Sequence, residues 1–344
     1  LDRRCPMNRS FRPRLRRPSL TRLRSRLKRR TSPIPYDMFS HERLAKEAKS
    51  AQILERVYHN GQDKIWNGKE LLDSLIEKHG GIHLPKERAA AIRNIFSIIL
   101  WGELAAWKIS AELAEHIEPL EAKMAATAQA HDEARHFYVM HDYLKHLGYE
   151  PGPLPDSAGK ALDMVLQADT LAQKIVGMQL MVEPIALTLF QMARESEVEP
   201  VLCELLRYYE RDEARHVALG IHYLPDLIKD MNRVDAVQYW AFQARMFAEQ
   251  LRGLRELQPD FEALGFDARH AFRLGQGKQL KAAEMLAENL GNEQIMTEIF
   301  KRCFDFLVVY NYPSGDTPWP SRFKSAILAA KNGEAKPGDL APAA

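Results

Sequence analysis

The sequence predicts an all-α helical bundle with additional flanking helices. Three observations carry this. Apolar residues recur at helical spacing along nearly the whole body of the chain, and period-two alternation is nowhere sustained. Glycine is scarce, 18 of 344 residues, so breakers collect at a few connections. The pentapeptide DEARH occurs twice, at 132–136 and 212–216, each time deep inside a long helical segment.

The elements follow in order. From His41 to Tyr58 the apolar positions Leu44, Ala48, Ala51, Ile53, Leu54 and Val57 mark a first helix. A short helix over 69–79 ends at Gly80-Gly81. Pro85 precedes a long helix, Lys86 to His116, where its missing N–H costs little. Pro119 opens the next helix, which runs to Leu147 and stops at Gly148. A proline-rich connection, YEPGPLPDS, leads into one helix from Ala158 to about Glu195. Pro200 starts another, reaching about Gly220, and further helices are expected at 234–257, 279–289 and 293–310. The last 35 residues hold five of the 19 prolines and read as an irregular tail.

Composition narrows the class. Hydrophobic residues at 46% and charged residues at 27% suit a folded globular chain. No unbroken stretch of 18 apolar residues occurs, so no transmembrane segment is expected. Three cysteines (Cys5, Cys203, Cys303) exclude a disulfide scaffold and a cysteine-rich zinc or iron–sulfur site. No GxGxxG, Walker A or GxSxG pattern is present.

The net charge of +2 conceals an asymmetry. Residues 1–30 carry 13 Lys or Arg against one acid, Asp2. Removing them from the 48 basic and 46 acidic residues of the chain leaves 35 and 45, a body of charge −10. The arm, residues 1–35, has almost nothing to bury and is expected to be disordered. Three readings of it stay open: upstream sequence outside the natural reading frame, a charge-based anchor to an acidic partner, or an Arg-rich targeting peptide. It lacks aromatic interleaving beyond Phe11, so no specific nucleic-acid site is expected. A cytoplasmic location is expected, with the arm leaving targeting or peripheral anchoring open. Residues 36–315 form one helical domain, with its core helices at 86–224, and 316–344 form the tail.

The two DEARH copies are 80 residues apart, and the same offset maps Glu103 onto Glu183 and Tyr143-Leu144 onto Tyr223-Leu224. Each half therefore reads Glu, then Glu-x-x-His 30 residues on: Glu103 with Glu133 and His136, then Glu183 with Glu213 and His216. The helix–helix turns fall near 118 and 198, so each lone Glu and its chelating Glu lie 15 residues either side of a turn. At about 1.5 Å per residue both are roughly 22 Å from it and face each other. The i, i+3 spacing puts Glu133 beside His136, and Glu213 beside His216.

A lone Glu-x-x-His is ordinarily a solvated face. The flanks argue otherwise. Glu183 is the only charged residue between Lys174 and Arg194, and Glu103 lies between IFSIILWG and LAAW. A buried carboxylate without a partner costs several kcal/mol, so both need a cation. Four carboxylates balance two divalent ions, and one histidine per ion completes a shell suited to iron or manganese. Asp132 and Asp212, one residue off the chelating positions, point toward the neighbouring helix; Asp132 is expected to hold the ring N–H of His216, and Asp212 that of His136. Arg135 and Arg215 pair with these buried acids. His116, His131, His141, His146 and His222 fit helix surfaces. Trp101 and Trp107 are expected to pack against neighbouring helices, and Met178, Met181 and Met192 to fill core or pocket space.

At this point the chain resembles the ferritin-like di-iron carboxylate superfamily. Its E…ExxH…E…ExxH pattern is matched by Glu103, Glu133, His136, Glu183, Glu213 and His216 over roughly residues 86–224. The Asp before each chelating Glu is most similar to the bacterial multicomponent monooxygenases. No subfamily is matched throughout. Ribonucleotide reductase small subunits have a radical tyrosine four residues past the first ligand histidine, where this chain has Met140. The monooxygenases have a threonine where this chain has Leu187, followed by Thr188. The aminobenzoate-type N-oxygenases have an extra histidine where Tyr209 stands, and the tyrosine–valine crosslinking oxidases differ at Met178 and Ala105. Pro184, directly after Glu183, should kink the third core helix beside the metals.

The resemblance implies two iron ions per chain, or a manganese–iron pair, and an O2-activating oxidoreductase. An apolar organic substrate would be hydroxylated, desaturated or N-oxygenated. The alternative is iron oxidation, storage or peroxide scavenging without an organic substrate. An apolar dead-end pocket beside the metals would favour the first. With no flavin or iron–sulfur motif in the chain, a separate electron donor, a ferredoxin or reductase, is expected. A two-fold homodimer through the long helices near 86–147 is expected too.

Overall fold

The structure, a computed structural model, describes residues 42, 45, 52–150, 152–229, 231–290, 302, 306, 309, 310 and 318–332. The chain divides into two units, Leu1–His41 and Glu42–Ala344. The basic arm, and nearly all of the helix expected at 293–310, lie outside the described residues.

The described residues are helical and include no strand. The helices are α1 (Gln52–Asp63), α2 (Gly68–His79), α3 (Lys86–His116), α4 (Leu120–His146), α5 (Asp156–Leu166), α6 (Leu171–Gly177), a π-helical segment (Met178–Val182), α7 (Glu183–Glu195), α8 (Pro200–Ile228), α9 (Arg233–Glu256), α10 (Gln258–Leu264), α11 (Ala268–Leu290) and α12 (Trp319–Asn332). Their ends follow local chemistry. Asn67 caps α2 by accepting from Glu70 N–H, and Gly80 closes it in the left-handed region at φ 69°. Pro85, Pro119 and Pro200 stand at helix starts, where no N–H is needed. Gly148, φ 69°, terminates the α4 end, with Tyr149 N–H donating to the Leu144 carbonyl.

Two expectations are corrected. The single helix over 158–195 is three pieces. Thr170 starts a new helix by accepting from Gln173 N–H, which breaks the run after Leu166. The π-helical turn Met178–Val182 then precedes Glu183 and Pro184; it is the form the expected kink takes, since Pro184 cannot supply an α-helical donor. The C-terminal stretch is not irregular throughout, because Trp319–Asn332 is a helix; Pro318 and Pro320 flank its first residue, where proline is tolerated. Two helices, Lys86–His116 and Leu171–Glu195, are also long and apolar enough to cross a membrane by length and composition. In this fold they are bundle walls, with 50% and 78% of their apolar windows buried.

Helices α3 and α4 form one antiparallel hairpin, and the π segment with α7 and α8 forms a second. They pack together through α4 against α8 and α3 against the π segment. Outer helices complete the wall: α1 lies on α4 and α8, α2 on α8, α10 on α3, and α11 on α7 and α8.

The apolar core is divided along the bundle. One cluster holds Ile92–Leu100 positions of α3, Val139–Leu144 of α4, Ala186–Ala193 of α7 and Val201–Tyr209 of α8. The other holds Ala105–Ile117 positions, Ala122–Ala126, Ile175–Met181 and Leu219–Leu224. Between them on all four helices lie Glu103, Glu133 and His136, Glu183, and Glu213 and His216. The two hairpins point their turns in opposite directions, so the 80-residue repeat becomes a pseudo-two-fold about this polar layer. Close approach matters beside it: a Cβ on Gly220 of α8 would stand 2.8 Å from Gln179 Cβ in the π segment.

Candidate metal centre

All six residues singled out from the repeat converge, and all are buried, none more than 4% exposed. Four helical stretches contribute, each with its polar residue on the inward face. The Nδ1 atom of His136 lies 3.2 Å from Glu213 Oε1, 3.4 Å from Glu103 Oε2 and 3.6 Å from Glu133 Oε2. The Nδ1 atom of His216 lies 2.9 Å from Glu213 Oε2, 3.1 Å from Glu133 Oε1 and 3.8 Å from Glu183 Oε1. Glu133 and Glu213 thus turn one oxygen toward each histidine, while Glu103 and Glu183 serve one side each. Two overlapping four-residue groups result, Glu103–Glu133–His136–Glu213 and Glu133–Glu183–Glu213–His216, whose ligand atoms lie within 4.8 Å of one another.

This is a ferritin-like four-helix arrangement around a buried carboxylate–histidine cluster able to hold metal.

No protein-family model matches the chain, and no curated protein matches it in sequence. Among solved structures it is similar to two mutants of an R2-like ligand-binding oxidase with aerobically reconstituted Mn/Fe cofactor. The first is 17% identical, TM-score 0.44, over 80% of this chain and 92% of that one. The second is 18% identical, TM-score 0.43, over 79% and 93%.

The ferritin-like layer is electrostatically strained without a cation. Burial, with Glu213 nearby, pushes Glu103 well above the ordinary carboxylate range. Burial, with Glu213 and Glu133, does the same to Glu183. Burial also opposes charge on Glu133 and Glu213, but the adjacent histidines overcome it and hold both down. The surrounding carboxylates in turn lift His136 and His216 well above 6.5 despite burial. Three inward atoms, Glu133 Oε2, Glu213 Oε1 and His136 Nδ1, are buried with no hydrogen-bond partner. Orphaned acceptors of this kind fit cations, and the carboxylate and imidazole donor set fits iron or manganese.

The expected cross-bracing geometry is present. His136 Nε2 lies 3.3 Å from Asp212 Oδ2, and His216 Nε2 lies 3.5 Å from Asp132 Oδ2. The histidines therefore keep Nδ1 toward the carboxylates and Nε2 toward the opposite hairpin's aspartate. Arg135 bridges Asp132 at 2.5 Å and Asp212 at 2.8 Å; Arg215 bridges the same pair at 2.8 and 2.9 Å. Two aspartates and two arginines form a neutral lattice. His216 draws Asp132 down to about 2 against the effect of burial, and His136 draws Asp212 lower still.

Four neighbours were not anticipated. Trp66, between α1 and α2, donates its indole N–H to Asp212 at 2.7 Å and lies under the Arg135 guanidinium. Its contribution depends on a contact across 146 residues, which no local pattern reveals. Tyr209 stacks on His136 at 4.2 Å between centroids and donates its hydroxyl to the His136 carbonyl. Gln129 donates Nε2 to Glu133 at 3.0 Å and Glu183 at 3.2 Å, and accepts from Gln179. Gln129 and Tyr209 each stand four residues before a chelating Glu, a spacing that could have found them. Trp101 packs against the second apolar cluster as expected, whereas Trp107 is 41% exposed. None of His116, His131, His141, His146 and His222 joins the centre.

Replacing Asp212 by alanine should leave His136 Nε2, Trp66 and three arginines, Arg135, Arg211 and Arg215, without their shared acceptor. We expect metal retention to weaken about 10–100-fold with helicity unchanged. Competitive chelator titration checks it; wild-type retention in Asp212→Ala and Asp132→Ala would defeat the cross-bracing idea.

Proposed function

We propose that the centre holds two iron ions, or a manganese–iron pair, and that the loaded protein is an O2-dependent oxidase or oxygenase of an apolar organic molecule. The observation carrying this is a cavity of about 170 Å³ reaching the centre. Glu103 and Glu183 line it, together with the apolar Ile99, Ala106, Met178 and Val182. An apolar recess lined by the outer carboxylate of each metal position suits substrate oxidation better than iron storage, which needs a polar path for the ion.

In this reading Glu103 and His136 would hold one ion and Glu183 and His216 the other, and Glu133 and Glu213, each with an oxygen toward both histidines, would serve both positions. When bound, such a pair would supply the redox chemistry toward O2. The chain does the rest. Asp132 and Asp212 fix the imidazole orientation, Arg135 and Arg215 balance the charge, and the two apolar clusters exclude water from the reacting volume. Met140, where a radical tyrosine would stand, leaves the oxidising equivalents for substrate. Two electrons per turnover come from a separate donor docking on the surface. The test is anaerobic reduction followed by rapid mixing with O2.

Assembly belongs to the same reading. The exposed Trp107 and Tyr138 lie on α3 and α4, the helices proposed to pair about a two-fold axis. Sedimentation should give twice the 39.4 kDa chain mass at micromolar protein; a strictly monomeric species would refute it.

A further inference from the structure

The cavity has a polar side, formed where α7, α9 and α11 meet. Gln279 on α11 donates Nε2 to the Met181 carbonyl at 3.4 Å and to Gln250 Oε1 at 3.1 Å. Gln250 on α9 donates to the same carbonyl at 3.2 Å. Both amide N–H groups are thus committed to the π-helical segment, and no donor to Gln279 Oε1 is recorded among the described residues. Thr188 on α7, buried at 4% exposure, commits its hydroxyl proton to the Pro184 carbonyl at 2.7 Å. Its oxygen therefore faces a ligand as an acceptor. Gly275 keeps room beside it, since a Cβ there would stand 3.4 Å from Thr188 Oγ1. Gln276 lines the same wall.

Charge is the other constraint. The described lining residues include Glu103, Glu183 and Glu249 but no Lys, Arg or His. Arg252 lies between the lining residues Leu251 and Gly253, and it is saturated: Asp156 at 2.6 Å, Glu249 at 2.8 Å and Glu256 at 3.4 Å. On the wall formed by Thr188, Gln276 and Gln279 a carboxylate would meet acceptors, with Glu249 in the same lining and no cationic side chain among the described lining residues. A hydroxyl or N–H on an apolar body would find Thr188 Oγ1 and Gln279 Oε1 waiting as acceptors, with the Gln276 amide able to serve either way.

We propose that the cavity selects an uncharged molecule with an apolar body and one hydrogen-bond donor, a hydroxyl or an amide N–H, and that Thr188, Gln276 and Gln279 determine this specificity. The inference rests on the oxidase reading above. It follows the general asymmetry of polar pockets: a site built to pair a donor rejects the analogue lacking it, because its own buried acceptors are then left unpaired.

The experiment uses the full metal-loaded chain and three probes of equal chain length: octanol, its methyl ether and octanoate. Binding is read by calorimetry, with metal content and reaction with O2 measured on the same preparations. Octanol should bind at least about 10-fold tighter than the ether, which lacks the donor, and than octanoate. Thr188→Val and Gln279→Leu should each shrink the octanol-to-ether ratio toward one. Gln276→Arg should turn the ranking toward octanoate, a gain that mere unfolding could not produce. Octanoate binding tightest to wild type, octanol and ether binding alike, or all three variants keeping the wild-type ranking would each overturn the proposal. If those results came with normal metal content and O2 reaction, only this specificity would fall; loss of metal binding or O2 reaction in wild type would remove the oxidase reading itself.

Discussion

Protein purified without chelator and reconstituted with iron, or with manganese and iron, is expected to hold two transition metals per chain. Fewer than about one per chain by elemental analysis would defeat the site. The expectation follows from charge. In the metal-free fold burial favours the protonated forms of Glu103 and Glu183, the surrounding carboxylates favour the cationic forms of His136 and His216, and the histidines favour the ionised forms of Glu133 and Glu213. The six side chains then sum to zero. Two divalent ions replace those protons and again give zero, with neutral imidazoles and four carboxylates. Metal uptake should therefore release up to four protons and strengthen as pH rises. The sign for stability is the same. Folded pKa values raised above unfolded ones add stability that is full at low pH and lost as pH rises through the raised values. The aspartates and the bridging glutamates act oppositely and fail on the acid side. The metal-free protein should thus lose melting temperature as pH climbs past the ordinary histidine value of 6.5, and the loaded protein should not. Ligand excess of about 1,000 times Kd adds about 4 kcal/mol to the folded state. Calorimetry in two buffers of different ionisation heat counts the protons.

Reduced, loaded protein is expected to react with O2 and show a transient, metal-dependent absorbance change. Glu183→Ala should abolish it. That side chain is the outer carboxylate of one position, it lines the cavity, and it follows the π-helical turn, so nothing nearby replaces it. An apolar cavity-filling compound should couple the O2 consumed to its own oxidation. If fully loaded, reduced wild type failed to react over minutes even with such compounds present, the oxidase reading would give way to a non-redox or storage role. Stopped-flow absorbance with an oxygen electrode decides between them.

What the sequence by itself determined is which residues converge in the polar layer. Helical periodicity bounded α3 and α4 almost to the residue, because Pro85, Pro119 and Gly148 act locally. The repeat named all six converging residues, because i, i+3 spacing and equal distance from a turn are geometric consequences of a regular helix. The aspartate–histidine crossing was also legible, since it follows from the same two-fold. Where local rules competed, legibility ended. The run 158–195 has continuous helical periodicity, yet Thr170 capping and the missing Pro184 donor divide it. Only the tertiary structure decided which atoms meet across distant segments: Trp66 on Asp212, Tyr209 on His136, Gln129 between two carboxylates. It also decided the cavity, whose walls come from α3, α5, α7, α9, α10 and α11. A void is the space left after separate helices pack against one another, and no window of sequence contains that information.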